Sequence, residues 1–146
     1  MKRFNFRLQK IMEFRQHKEE AGERELALAK TELGREETKL LRLNHKRDGC
    51  RKEILKKNNS KVDVPEILVH YTYLSKLAKE ISAQTIQVDK LKDNVEEKRR
   101  ILLELFKEKK ILEALRERDY ASYRKDSEKK EQDQMDELAS LARKKE

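Results

Sequence analysis

The sequence lacks tryptophan and has only one cysteine, one proline and three glycines. The single Cys50 excludes an intramolecular disulfide, and without a disulfide framework nothing indicates an oxidising compartment. No apolar h-region follows the basic first residues, and no run approaches the ~18 apolar residues of a membrane span. From these absences we expect a soluble, cytoplasmic protein.

Charge dominates what is present. Charged residues make up 45% of the chain, against 36% hydrophobic and 5% aromatic residues. Such a balance also occurs in disordered chains, but the nineteen leucines are too many and too regularly spaced for disorder. Ala, Glu, Lys, Leu and Arg together exceed half of the residues, which is typical of long helices and coiled coils. A narrow apolar seam between helices is therefore favoured over a compact core.

The segment NNSKVDVPE, residues 58–66, is the one clear break. The lysine pair before it suits a helix C-terminus, where cations interact favourably with the helix dipole. Asparagine can take the left-handed conformation that ends a helix. Beyond it, Asp63 can cap a new helix, Pro65 is tolerated in the first turn, and Glu66 suits a capping box. The break is too short for anything except an antiparallel return.

Apolar residues recur at alternating steps of three and four on both sides of this break. Seven of the nine positions before it are apolar: Leu26, Ala29, Leu33, Glu36, Leu40, Leu43, Arg47, Cys50 and Ile54. Nine of the twelve positions after it are apolar: Leu74, Leu77, Ile81, Gln84, Val88, Leu91, Val95, Lys98, Leu102, Leu105, Lys109 and Leu112. A 3.5-residue repeat of this length predicts a coiled-coil seam.

The predicted fold class is all-α: a long two-helix antiparallel coiled-coil hairpin with an unpaired C-terminal helical overhang. We expect one domain over residues 1–146. The first helix should cover about residues 4–57, the turn 58–64 and the second helix about 65–140, with the tail beyond 122 free to fray.

The expected turn also sets the register of the two helices. With the turn centred near residue 62, Phe4 faces Tyr120, Leu26 faces Lys98, and Leu40 faces the region of Gln84. The first helix would be about 80 Å long. Residues beyond about 121 have no partner on this register, and their only apolar face is Met135, Leu138 and Leu141.

The chain offers almost no catalytic chemistry. His17, His45 and His70 are far apart, and none has a second ligand at metal-binding spacing. Cys50 follows His45 by five residues, which is not a helical face spacing, so a place in the seam is the simpler interpretation. No glycine-rich phosphate loop exists, and carboxylates alternate with cations as on solvated helix faces. We predict a non-enzyme without metal or cofactor.

Binding surface remains, first around residues 4–15. Residues 1–18 carry six cations against one carboxylate, Glu13, in a chain of net charge +8. The segment combines apolar and cationic side chains: Phe4, Phe6, Arg7, Leu8, Ile11, Met12, Phe14 and Arg15. The register adds Tyr120 and Tyr123. These residues either close the end of the coil or form an interface, where aromatics and arginine are typical anchors.

A second candidate surface begins the second helix. Tyr71 and Tyr73 are two residues apart, so both cannot lie in the seam with Leu74 and Leu77. The outward tyrosine either lies along its own helix or docks a partner.

Two further function classes stay open on the residues alone. A basic coiled-coil arm could bind nucleic acid. The mixed charge signs along both helices argue against this, because a surface that follows a phosphate backbone should be continuously basic. A coiled-coil chaperone or scaffold could dimerise through the overhang.

Two stretches resemble a known family. FNFRLQKIMEFRQHKEE, residues 4–20, resembles the aromatic and basic opening of the flagellar export FliJ family, a stalk family of type III secretion. HYTYLSKLAKEISAQ, residues 70–84, resembles the tyrosine-rich start of that family's second helix. The resemblance covers essentially the whole chain, and the stalk proteins of injectisomes are the nearest similar group.

The resemblance implies a small cytoplasmic coiled coil that supports flagellum assembly at the cytoplasmic face of the inner membrane. It implies binding of the hexameric export ATPase, FliI-like, by the terminal end and of the export gate, FlhA-like, near the hairpin end, with export chaperones as further partners and no nucleic acid. Membrane association would be indirect, through the gate.

The resemblance also implies site residues. The expected ATPase-binding residues are Phe4, Phe6, Arg7, Met12, Phe14, Arg15, Tyr120 and Tyr123. The expected gate-binding residues are Tyr71, Tyr73 and Leu77. Glu80 stands where the family's gate-binding stripe would continue, and is a polar departure from it.

Overall fold

A computed structural model of the chain describes residues 2–59 and 63–145. Two helices account for most of them, α1 at Gln9–Asn58 and α2 at Val64–Lys144. The described ranges contain no strand. The all-α antiparallel hairpin predicted from the 3.5-residue repeat is therefore confirmed.

The helix ends differ in detail from the sequence expectation. α1 begins at Gln9 rather than near residue 4, and the backbone N–H of Gln9 donates to the carbonyl of Phe6 at 3.1 Å. The Phe6 side chain is buried, at 5% exposure. The residues before Gln9 therefore pack through Phe6 without forming a further turn of helix. The predicted turn falls partly on residues 60–62, which lie outside the described residues. α2 continues as helix to Lys144.

The chain divides into two compact units. Gly22–Ile101 form one, called here the hairpin unit, and Met1–Ala21 with Leu102–Glu146 form the other, called the terminal unit.

The predicted seam positions pack the hairpin unit. Seven of them are buried, with 2–8% exposure: Ala29, Cys50, Ile54, Leu77, Val88, Leu91 and Val95. Gln84 Nε2 donates to the Glu36 carbonyl at 2.9 Å and to its Oε2 at 2.5 Å. Lys98 Nζ lies 3.2 Å from Glu25 Oε2. Gln84 and Lys98 therefore pair across the seam, within about one turn of the predicted register, whereas Arg47 pairs with Asp48 on its own helix.

A polar cluster joins the end of α1 to the start of α2. The Cys50 thiol lies 3.6 Å from the His70 carbonyl, and Lys57 Nζ lies 2.9 Å from His70 Nε2. Lys57 also forms an ion pair with Glu66. Cys50 thus packs in the seam, as the simpler interpretation expected, with only 6% exposure.

The Glu66 carboxylate should titrate below its ordinary pKa of 4.5. The hydrogen bond from Lys57 lowers the pKa most, followed by the charge of Lys57, while desolvation opposes the shift. A lowered pKa means that the link stabilises the fold above pH 4.5 and is lost as pH falls through the folded-state pKa. Carbon-13 carboxyl NMR should find this lower midpoint, and Lys57→Met should return it towards 4.5. An unchanged midpoint in Lys57→Met would contradict the assignment.

The terminal unit adds charge pairs to its apolar packing. Leu102 is buried at 8% exposure, and Glu19 is buried at 6% with Lys109 Nζ 3.1 Å from its Oε2. That Oε2 atom receives no aligned hydrogen bond, so Lys109 compensates it by charge. Arg15 forms an ion pair with Glu108. These contacts pair the start of α1 with the middle of α2.

The overhang begins later than the sequence suggested. Residues 2–5 line one groove together with side chains of α2 that extend from Asp119 to Gln134. Tyr123 and Ser127 are half-buried, whereas every residue over 128–145 is exposed. We define the overhang by this exposure as residues 128–145; Lys130, Glu131 and Gln134 at its start still line the groove.

Candidate protein-docking surfaces

Three rings hold the segment before α1 against α2 in the terminal unit. The Phe4 ring meets Tyr120 edge-on, with 5.2 Å between centroids, and lies 5.4 Å from Tyr123. The Tyr123 hydroxyl donates to the carbonyl of Lys2. Edge-to-face aromatic pairs are stabilising beyond the area they bury. The predicted contact of Phe4 with Tyr120 is confirmed.

The terminal unit also exposes apolar side chains to solvent. Phe14 is 57% exposed, with Lys18 Nζ 5.0 Å from its ring centroid, and Tyr120 is 49% exposed. Ile11 and Ile111 are also exposed. Of the two alternatives left open by the sequence, closing the coil end does not account for Phe14 and Tyr120, which are not buried.

A groove of about 480 Å³ adjoins the rings. Its lining combines Phe4, Met12 and Tyr120 with three charged side chains of α2: Glu113, Arg116 and Glu117. The two carboxylates of the groove, on Glu113 and Glu117, are opposite in charge to the cations of residues 2–7. The surface of the terminal unit therefore offers apolar contact beside charges of both signs.

The expected ATPase-binding residues take different positions. Phe4, Tyr120 and Tyr123 come together, and Met12 joins the first two in the groove. Arg7 and Phe14 are exposed. Phe6 is buried and offers little surface, and Arg15 is occupied by Glu108.

Sequence reasoning missed Ile111 and the charged lining of the groove. Arg116 precedes Tyr120 by four residues and Glu113 precedes Glu117 by four, which places each pair on one helix face. That spacing was the available signal.

In the hairpin unit, both tyrosines of the second surface face outward. Tyr71 is 53% and Tyr73 is 39% exposed, whereas Leu77 is only 2% exposed. Two residues span 200° of helix, so the tyrosines lie on different flanks of the seam. Leu77 packs in the seam one turn after Tyr73. Its burial leaves almost none of its side chain for a partner to contact.

The Tyr71 flank carries a shallow groove of about 510 Å³. It is lined by α2 alone: Leu68, Tyr71, Thr72, Ser75, Lys76 and Lys79. Lys76 Nζ lies 3.9 Å from Glu80 Oε1, at the edge of the groove.

Two classes of site are not found in the described part of the chain. Over residues 2–59 and 63–145, no three His, Cys, Asp or Glu side chains are grouped as a metal ion requires. No stretch of the described helices combines the length and apolarity needed to cross a membrane.

Comparison with known proteins identifies the family. A family model described as "Flagellar FliJ protein" matches residues 4–146. No curated protein and no solved structure gave a match to the chain. The match spans both docking surfaces and the overhang, and both helices are included. The chain therefore belongs to the flagellar FliJ family and has a role in flagellar protein export.

Proposed function

We propose that the chain is a non-enzymatic stalk and adaptor of the flagellar type III export apparatus. It binds the hexameric export ATPase through the terminal unit and the export gate through the hairpin unit. By these contacts it acts on the cytoplasmic face of the inner membrane, where it supports protein export and flagellum assembly.

One observation carries the ATPase contact. Phe14 and Tyr120 of the terminal unit remain about half exposed, although burying either ring would be favourable, and the cation Arg7 of the same unit is exposed. Exposed aromatics and arginine are typical interface anchors. In a member of this export family, the ATPase ring is the partner that this surface fits best.

The gate contact rests on the Tyr73 flank. Tyr73 is exposed, and Leu77, four residues further along α2, is buried in the seam. Tyr71 lies on the other flank and would reach only the edge of such a contact. Glu80, which forms an ion pair with Lys76, limits the apolar area beyond Tyr73.

A reconstitution tests the ATPase contact. The chain should increase ATP hydrolysis by its cognate export ATPase and promote assembly of the ATPase ring, because an inserted helical end favours the assembled state. The measurements are phosphate release and ring formation by electron microscopy over a range of chain concentrations. If neither changes where the ATPase alone is near its assembly threshold, the proposal is wrong.

A further inference from the structure

The hairpin unit carries a second apolar face that the proposed gate contact does not use. Leu55, Val64, Leu68 and Tyr71 are each 53–63% exposed. The Lys57–Glu66 ion pair marks one flank of the seam. Leu55 precedes Lys57 by two residues, and Leu68 follows Glu66 by two. Each is turned by 200°, so both lie on the opposite flank.

This flank stays uncharged along α2. Its positions recur at steps of four and three: Val64, Leu68, Tyr71, Ser75, Ala78 and Ser82. In a chain with 45% charged residues, six uncharged positions at this spacing form a distinct stripe. The spacing is that of a coiled-coil face. The three small residues at its end leave room for close approach of another helix.

Cations border the stripe. Lys76 and Lys79 line its groove, and Arg51 and Lys52 lie one turn before Leu55 on α1 with exposed side chains. A helix that docks here should therefore be acidic as well as amphipathic.

The middle of the overhang, residues 131–141, has these properties, while the overhang as a whole carries equal numbers of carboxylates and cations. All of residues 128–145 are exposed, and Met135, Leu138 and Leu141 are 53–67% exposed on a common side of the helix. Residues 131–137, EQDQMDE, carry four carboxylates and no cation. Docking would bury Met135, Leu138 and Leu141, and the hydrophobic effect would stabilise the contact.

We propose that the overhang of one molecule docks as a third helix on the Leu55–Leu68–Tyr71 face of a second molecule. Met135, Leu138 and Leu141 meet the uncharged stripe, and the carboxylates of 131–137 meet the bordering lysines. The contact is heterologous, since the two surfaces belong to different units. Its small area makes it weak and reversible, and its charge pairs make it sensitive to salt.

Sedimentation equilibrium of the full chain tests the proposal. At low salt the apparent mass should rise with concentration, and the rise should diminish at high salt. Leu68→Asp and Leu138→Asp should each weaken association by roughly tenfold or more. Val69→Asp is the matched control, because Val69 is 68% exposed but lies 100° further around α2. Circular dichroism should show that all three variants keep the helical content of the parent.

Mixing the two defective variants separates this contact from others. Leu68→Asp keeps an intact overhang and Leu138→Asp keeps an intact face, so the mixture should form a 1:1 complex. A mixture that stays monomeric would overturn the proposal. So would a parent chain that is monomeric at every concentration, or association lost in Leu138→Asp but kept in Leu68→Asp, which would mean pairing of overhangs. None of these outcomes depends on the export ATPase or gate.

Discussion

Replacing Leu77 with alanine should lower the free energy of unfolding by about 3 kcal/mol. Leu77 is the most buried large side chain described, at 2% exposure, and it packs where α1 and α2 meet in the hairpin unit. Truncation removes apolar contacts and leaves a cavity that the helices cannot fully close. Urea unfolding followed by circular dichroism at 222 nm is the measurement.

Leu68→Ala provides the control for this prediction. It deletes the same atoms from the same helix, but Leu68 is 59% exposed. Its effect should stay within about 0.5 kcal/mol of the parent. Equal effects of the two substitutions would show that Leu77 is not packed in the seam in solution. If Leu77→Ala also weakens gate binding, the loss of binding should increase with the fraction of unfolded protein. Leu77 is too buried for the substitution to remove a surface contact.

Phe14→Glu and Tyr73→Ala should separate the two proposed partner contacts. Phe14→Glu places a carboxylate in the exposed aromatic surface of the terminal unit, so ATPase stimulation should require roughly tenfold more chain or be lost. Gate binding should be unchanged. Tyr73→Ala should weaken binding to the cytoplasmic domain of the gate by a similar factor and leave ATPase stimulation unchanged. Phosphate release and isothermal titration calorimetry measure the two effects.

Each of these variants controls for the other, and Leu28→Glu controls for both. Leu28 is 70% exposed in the hairpin unit and is assigned to neither contact. It should alter neither activity. Loss of both activities in either single variant, with helical content intact, would contradict the assignment of separate surfaces.

The sequence by itself determined the helices, their antiparallel pairing and their register. Apolar residues at steps of three and four form one stripe on each helix, and each stripe must be buried against the other. The short break between the helices allows only an antiparallel arrangement. Gln84 with Glu36 and Lys98 with Glu25 are accordingly cross-helix neighbours, and Phe4, which precedes α1, contacts Tyr120 of α2. The sequence also indicated that the aromatics near residues 4–15 exceed the capacity of a narrow seam, without indicating which of them stays exposed.

Tertiary structure alone decided which of the candidate residues face solvent. Periodicity assigned Leu77 to the seam while the family resemblance assigned it to a partner, and its burial resolves the conflict in favour of packing. Phe6 precedes α1, where no helical period applies, so its burial depended on how residues 2–8 fold against α2. Tyr71 and Tyr73 are two residues apart, so they point to different sides of α2. Only the Lys57–Glu66 contact shows on which flank of the seam each one lies. Local sequence sets helical phase, whereas accessibility depends on contacts between segments that are distant in sequence.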